Sequence, residues 1–359
     1  VYILFYIGDF IVKYFTIIRS YVLVMDLRDL EKVDTKYMFK TYDKWPEIAI
    51  ESFEEKFGKF DVDDIDHIVF AGMGGSGSIG DTISAILSKK DIHVSNVKGY
   101  LLPKTVDART LVIVTSVSGN TAESLAVLEN AKKTKAKIVS FSSGGQIESF
   151  CKNNDIFFQK IPMIHSPRSS YPSFLYSILN ILEPILPIRQ NDIHESLSAL
   201  KKTRENIFSE NLNEQNESLE LANFIKNIVC IYFPAGLQAA AIRYKNSLQE
   251  NTKIHAMSED VIESCHNGVV SWERKSDVTP VLIQGKDDYI KTIERWNLLK
   301  EFLESKEVKY HIVNSLEGSI LSKITNLIYL LDYSSIYASV LNNIDPSPVN
   351  AIDFIKKRS

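Results

Sequence analysis

The chain has 359 residues, 45% of them hydrophobic and 24% charged, with a net charge of −4. That profile describes a soluble globular protein long enough for two domains. It argues against a nucleic-acid binder, which normally carries a basic patch.

The cysteines Cys151, Cys230 and Cys265 form no CxxC pair, and the histidines form no HxH or HExxH group. A sparse, odd cysteine set suits a reducing compartment, so a cytoplasmic protein without a metal or cofactor is expected. Val1 to Val24 is rich in Tyr, Phe and Ile, but Asp9, Lys13 and Arg19 interrupt it. Its uncharged stretches fall short of the roughly 20 residues needed to cross a bilayer. No small-residue cleavage site follows, as a secretory signal requires. Residues 1–24 are expected to be an extension outside the functional fold, with Met25 as its start.

His67 to Ala71 is a short apolar run and reads as a buried strand. Gly72 to Gly77 (GMGGSG) is a small-residue turn, followed by a helix with Ile79, Ile83, Ile86 and Leu87 on one face. Leu111–Thr115 is the next strand, then the turn Ser116 to Thr121 (SVSGNT) and a helix to about Lys133. Lys137–Phe141 and Ile156–Lys160 supply two more strands. Ser169 to about Leu219 reads as a helical bridge punctuated by prolines, with Glu205 to Glu220 its solvated part.

The strand–turn–helix pattern then recurs. Ile228–Phe233 is a strand, Ala235-Gly236 turns into a helix carrying Leu237, Ala240, Ala241, Tyr244 and Leu248, and Pro280–Gln284 and Lys309–Val313 are later strands around a long helix near Trp296. Asp345-Pro-Ser-Pro348 stops one helix and starts a short terminal one. The alternation predicts an α/β protein with two doubly wound parallel sheets, each covered on both faces, and a C-terminal helix. The expected division is residues 25–200 and 201–359.

Only the first half carries serine-rich turns, at the carboxyl ends of neighbouring strands, where open α/β sheets bind ligands. Gly75, Ser76, Ser116, Ser118 and Thr121 offer backbone N–H groups and hydroxyls beside helix N-termini, a neutral cradle for a phosphate monoester. The bland alternative is helix capping, with Asn120 and Glu123 spaced as a capping-box start. GMGGSG lacks the GxGxxG spacing of dinucleotide folds, and no GK[ST] of a nucleotide P-loop follows.

GMGGSGSIGD at Gly72 to Asp81 together with SVSGNTAES at Ser116 to Ser124 resembles the paired phosphate-binding turns of the sugar isomerase (SIS) domain family. Pro167-Arg168, Leu248-Gln-Glu-Asn251, Cys265 to Glu273 and Asp345 to Val349 follow in the order seen in its bifunctional phosphoglucose/phosphomannose isomerase branch. The resemblance runs from about Met25 to the end. It implies two flavodoxin-like SIS lobes, each a three-layer sandwich, and metal-free interconversion of glucose 6-phosphate, and of mannose 6-phosphate, with fructose 6-phosphate.

By the same resemblance Glu250 is the base that moves a proton between C1 and C2, and Arg168 stabilises the enediolate charge. His266 and Lys356 open the sugar ring, with Lys357 the alternative to Lys356. The implied assembly is a homodimer in which His266 reaches the partner's site; neither nucleic acid nor membrane is an expected partner. Two departures from the family pattern stand out: Val117 replaces a tyrosine between the two serines, and Gly268 replaces a glutamate after His266-Asn267. The competing readings are an SIS isomerase of another sugar phosphate and a non-catalytic sugar-phosphate sensor. Against the sensor, the residues before the first lobe leave little room for the DNA-binding domain such regulators usually carry.

Overall fold

The computed structural model describes residues 25–358, and the expectation for residues 1–24 lies outside them. In chain order the helices are α1 (Leu27–Val33), α2 (Met38–Asp43), α3 (Trp45–Glu54), α4 (Gly74–Leu87), α5 (Ala122–Ala131), α6 (Gly145–Asn153) and α7 (Tyr171–Ile181). They continue as α8 (Gln190–Ile207), α9 (Glu217–Phe224), α10 (Gln238–Ser247), α11 (Val261–Ser264), α12 (Ile290–Ser305), α13 (Ile320–Leu341) and α14 (Asn350–Lys356). The strands of the first sheet are β1 (His67–Ala71), β2 (His93–Val97), β3 (Thr110–Ser116), β4 (Lys137–Ser142) and β5 (Phe157–Lys160). Those of the second are β6 (Ile228–Phe233), β7 (His255–Asp260), β8 (Val278–Gln284) and β9 (His311–Asn314).

All pairings within these sheets are parallel. The strand order is β2-β1-β3-β4-β5 in the first sheet and β7-β6-β8-β9 in the second. The first is the flavodoxin-like order, whose switch point lies between β1 and β3; the second repeats it one strand shorter.

The period-two alternation of each central strand explains the layering. In the first sheet Ile68, Phe70, Leu111 and Ile113 face a shared core, while Val69, Val112 and Val114 face outward onto Val127, Leu128 and Ile147 of α5 and α6. In the second sheet Val229, Ile231, Val281 and Ile283 face the same shared core, and Cys230, Tyr232 and Leu282 face Trp296 and Leu299 of α12. The halves therefore meet through one continuous core that also holds α4, α7, α10 and α13.

Four features differ from the expectation. Strands β2 and β7 emerge as edge strands whose half-exposed sequences, HVSNV and HAMSED, carry no apolar run. Helix α13 is buried around nearly its whole circumference, so its sequence shows no single apolar face. The segment Gly74–Gly77 forms the first turn of α4 rather than a loop before it. The stretch Glu205–Glu220 is only partly solvated, because Ser209, Asn216, Ser218 and Leu219 are buried and α9 packs on α13.

No helix among the described residues is long and apolar enough to cross a membrane.

Candidate active site

The cradle forms at the switch point of the first sheet. Helix α4 enters at Gly74, whose φ of +52° favours glycine, and no side chain caps its start. The Gly74 and Gly75 N–H groups and the positive dipole end are thus open toward a ligand, while Ser76 N–H donates to Met73 O at 3.0 Å. Ser76 Oγ accepts from the Val117 N–H at 3.1 Å, which ties this turn to the one after β3. There Ser116 Oγ accepts from Gly119 N–H at 3.1 Å and lies 2.8 Å from Thr121 Oγ1.

Ser76 and Ser116 are buried and hold the turns together, whereas Ser118 and Thr121 remain partly exposed. The N-cap of α5 is Thr121, again without a side-chain cap. Asn120 Oδ1 instead accepts from Gln146 N–H at 3.0 Å at the start of α6, so the capping-box reading of Asn120 and Glu123 does not hold. Val117, the departure between the serines, is buried in the core.

The cradle abuts the residues expected to act on the sugar. A Cβ placed on Gly75 would lie 3.1 Å from Pro167 O and 3.3 Å from Arg168 Cα, so a larger residue there would press the two segments apart by a few tenths of an ångström. Arg168 is 6% exposed and each nitrogen of its guanidinium donates a hydrogen bond. Nη1 donates to Glu250 Oε2 at 3.1 Å, Nε to Asn251 Oδ1 at 2.8 Å and Nη2 to Pro346 O at 2.8 Å. Glu250, with a quarter of its side chain accessible, sits in a single π-helical turn, Leu248–Thr252, that widens the end of α10. Such insertions recur at functional sites.

A deeper tier fixes this pair. Arg243 Nη2 donates to the Arg168 carbonyl at 2.6 Å and to Asp332 Oδ2 at 2.6 Å. Asp332 Oδ1 accepts from Ser247 Oγ at 2.6 Å, one residue before the π-helical turn. Asn251 donates to Ser335 Oγ at 2.8 Å. Helix α13 thus holds both the Arg168 segment and the Glu250 turn in register.

Lys253 escaped the sequence reading, as Arg243 and Asp332 did, whereas Asp345 and Ser347 belong to the Asp345–Val349 motif read from it. Lys253 donates to Glu250 O, to Pro346 O at 3.3 Å and to Pro348 O at 2.7 Å, stapling the Asp345–Pro348 loop to the Glu250 turn. Burial, with Arg168 adding, pulls its ammonium below the usual lysine range. Asp345 accepts from Thr35 Oγ1 at 2.6 Å and shapes the loop, in which Ser347 Oγ is buried without a partner among the described residues. The signal available was position alone: Lys253 follows the Leu248–Asn251 motif by two residues.

Other expected residues lie outside this cluster. His266 is exposed on the turn after α11, and Lys356 and Lys357 are exposed at the end of α14, whose Phe354 and Ile355 also face solvent. Gly268 lies against Glu259: a Cβ there would overlap the Glu259 carboxylate, so a carboxylate still stands beside this segment, supplied by β7. Burial, with Glu263 adding, holds the Glu259 carboxyl above its usual range.

Among the described residues, no three His, Cys, Asp or Glu side chains gather as a metal site.

Serine-rich turns at the switch point of one flavodoxin-like sheet, joined to an arginine–glutamate pair from the other half, define a double-SIS protein. Residues 62–182 match the SIS domain, and residues 214–358 match the bacterial phospho-glucose isomerase C-terminal SIS domain. The chain belongs to the bifunctional phosphoglucose/phosphomannose isomerase family. A relative so named from Caldicellulosiruptor bescii is 31% identical over 309 residues, covering 82% of this chain and 90% of that protein. A relative from Sulfolobus acidocaldarius, 25% identical over 68% of this chain and 77% of its own, is named D-glucosamine-6-phosphate 4-epimerase. Among solved structures, a hypothetical protein from Thermus thermophilus has the same fold, with a TM-score of 0.70 at 14% identity over 92% of each chain.

Proposed function

We propose that this chain is an aldose–ketose isomerase that interconverts glucose 6-phosphate, and mannose 6-phosphate, with fructose 6-phosphate through an enediolate. The observation that carries the assignment of roles is the Arg168–Glu250 pair, 3.1 Å apart and flush against the cradle. A phosphate bound by Gly75, Ser76, Ser116, Ser118 and Thr121 anchors C6. Glu250 takes a proton from C2 of the aldose and returns it to C1 from the same face, as one base suffices for a suprafacial transfer. Arg168, always protonated, stabilises the charge that develops on the enediolate oxygens. Because the pair precedes substrate, Arg168 needs no large reorganisation when that charge appears.

Ring opening falls to His266 and to Lys356 of the terminal helix. His266 is exposed on this chain, which supports its delivery to the site of a second copy in a homodimer. The apolar side chains of Phe354 and Ile355 on exposed α14 support a further contact made by that helix. In this reading the lobes divide near residue 200, inside α8, and the enzyme works in the cytoplasm.

The test is Glu250→Gln. Phosphate and fructose 6-phosphate binding should persist while turnover falls by about 10²–10⁴-fold, the usual worth of a general base. Turnover unchanged would remove Glu250 from its role; turnover negligible in the wild type with binding intact in both would favour the sugar-phosphate sensor.

A further inference from the structure

The two halves share strand order, and the active site uses one element of each kind from both. The cradle lies at the carboxyl ends of β1 and β3, and Glu250 comes from the end of α10, the helix that follows β6. The Pro346–Pro348 loop that closes the site follows the long central helix α13. Exchanging the halves predicts a second cleft. It should lie at the carboxyl ends of β6 and β8, with the end of α4 in the place of the Glu250 turn and the segment after α7 as its closing loop.

The structure contains that cleft, of about 560 Å³. Its floor is Pro234–Leu237 after β6 and Gly285, Asp287, Asp288 and Tyr289 after β8; its walls are Ser88–Lys90 at the end of α4 and Pro187–Arg189 after α7. The volume lies within the range of small-ligand sites.

The chemistry has changed while the geometry is kept. No glutamate or histidine lines the counterpart; the Glu250 turn is replaced by Ser88-Lys89-Lys90. Lys323, in the first turn of α13, is 9% exposed and pairs with Asp287 of the β8 loop. Lys89 and Lys90 have no ion-pair partner among the described residues, while the charge of Lys89 reaches Asp287. Arg189 is paired with Asp192 at 2.8 Å and Asp288 also lines the cleft, so the lining carries a net surplus of one positive charge, with Lys89 and Lys90 its cations outside any ion pair among the described residues. The carboxylate of Asp287 offers acceptors for hydroxyl groups, and Tyr289 stands exposed at the mouth.

We infer that this cleft is a second, non-catalytic binding site for a phosphate monoester carried on a hydroxylated body, its phosphate held by Lys89, Lys90 and Lys323. Helix α4 begins in the catalytic cradle and ends in this cleft about 20 Å away, so both ligands would sit on one rigid element. The inference is independent of the isomerase assignment, since binding is read with a ligand that is not turned over.

Calorimetric titration of the full chain with inorganic phosphate tests it, against Lys89→Glu/Lys90→Glu and against Ser76→Ala/Ser118→Ala. The wild type should show two phosphates per chain. The lysine variant should lose one of them, with at least a tenfold drop in affinity and unchanged kcat on fructose 6-phosphate; the serine variant should weaken the other. Repeating the titration with fructose 6-phosphate and adenosine monophosphate tells a sugar body from a nucleoside. A lysine variant with the wild-type isotherm, or a single phosphate in the wild type that the serine variant loses and the lysine variant keeps, would overturn the second site; a single phosphate lost only in the lysine variant would instead count against the cradle.

Discussion

The Arg243–Asp332 ion pair offers the sharpest test of how the active site is held. Asp332 is 0% and Arg243 2% exposed, and the Arg243 guanidinium lies over the rings of Tyr171 and Trp45. Asp332→Asn keeps the shape but removes the charge opposing a guanidinium that cannot deprotonate. Breaking a buried pair by removing one partner costs about 3–5 kcal/mol, a large share of the roughly 5–15 kcal/mol typical of a domain. The variant should therefore lose about 3–5 kcal/mol in urea unfolding monitored by tryptophan fluorescence.

Catalysis should fall as well, measured on the fully folded fraction, because Arg243 anchors the Arg168 carbonyl and Asp332 anchors Ser247 beside the Glu250 turn. The double variant Arg243→Met/Asp332→Asn should recover part of the stability, since it no longer buries an unpaired cation, but none of the activity. A loss below about 1 kcal/mol in the single variant, the scale of an exposed pair, would refute the reasoning. So would full activity in the double variant.

Two further outcomes follow from local geometry. Asp34 is fully buried, with Oδ1 unpartnered, and burial holds its carboxyl above the usual range, Asp345 adding. A folded pKa above the unfolded value gives stability that is present below about pH 3.8 and lost as pH rises through the folded value. Asp34→Asn should accordingly raise Tm at pH 7 relative to wild type, with the gain vanishing toward about pH 3; equal shifts at both pH values would contradict it. Gly119 has φ of +70° and a Cβ there would overlap Gly144 O. Gly119→Ala should deform the turn after β3 and raise KM for fructose 6-phosphate more than it lowers kcat; an unchanged KM would show that this turn does not bind substrate.

How far the sequence carries depends on what each residue's surroundings reveal locally. β1 and β6 were readable to the residue because strands buried on both faces are continuous apolar runs. The edge strands β2 and β7 are half-exposed and polar, so nothing in HVSNV or HAMSED marks them apart from loops. Helix α13 fails for the opposite reason: both halves of the protein pack around it, and a helix buried on all sides has no 3.6-residue stripe.

The site divides in the same way. The two turns announced themselves through small and hydroxylated residues at strand ends. Arg168 and Glu250 were singled out through family resemblance, since an isolated Pro-Arg or Gln-Glu-Asn says nothing of a contact across 82 residues of chain. Lys253, Asp332 and Arg243 act through contacts of long sequence separation, and no local pattern pointed to them.

The measurement that bears most directly on the account is incubation of purified protein with fructose 6-phosphate in EDTA, following glucose 6-phosphate and mannose 6-phosphate separately. The account predicts that both aldoses form, at rates that Glu250→Gln lowers together by about 10²–10⁴-fold. Formation of neither by folded protein would contradict it.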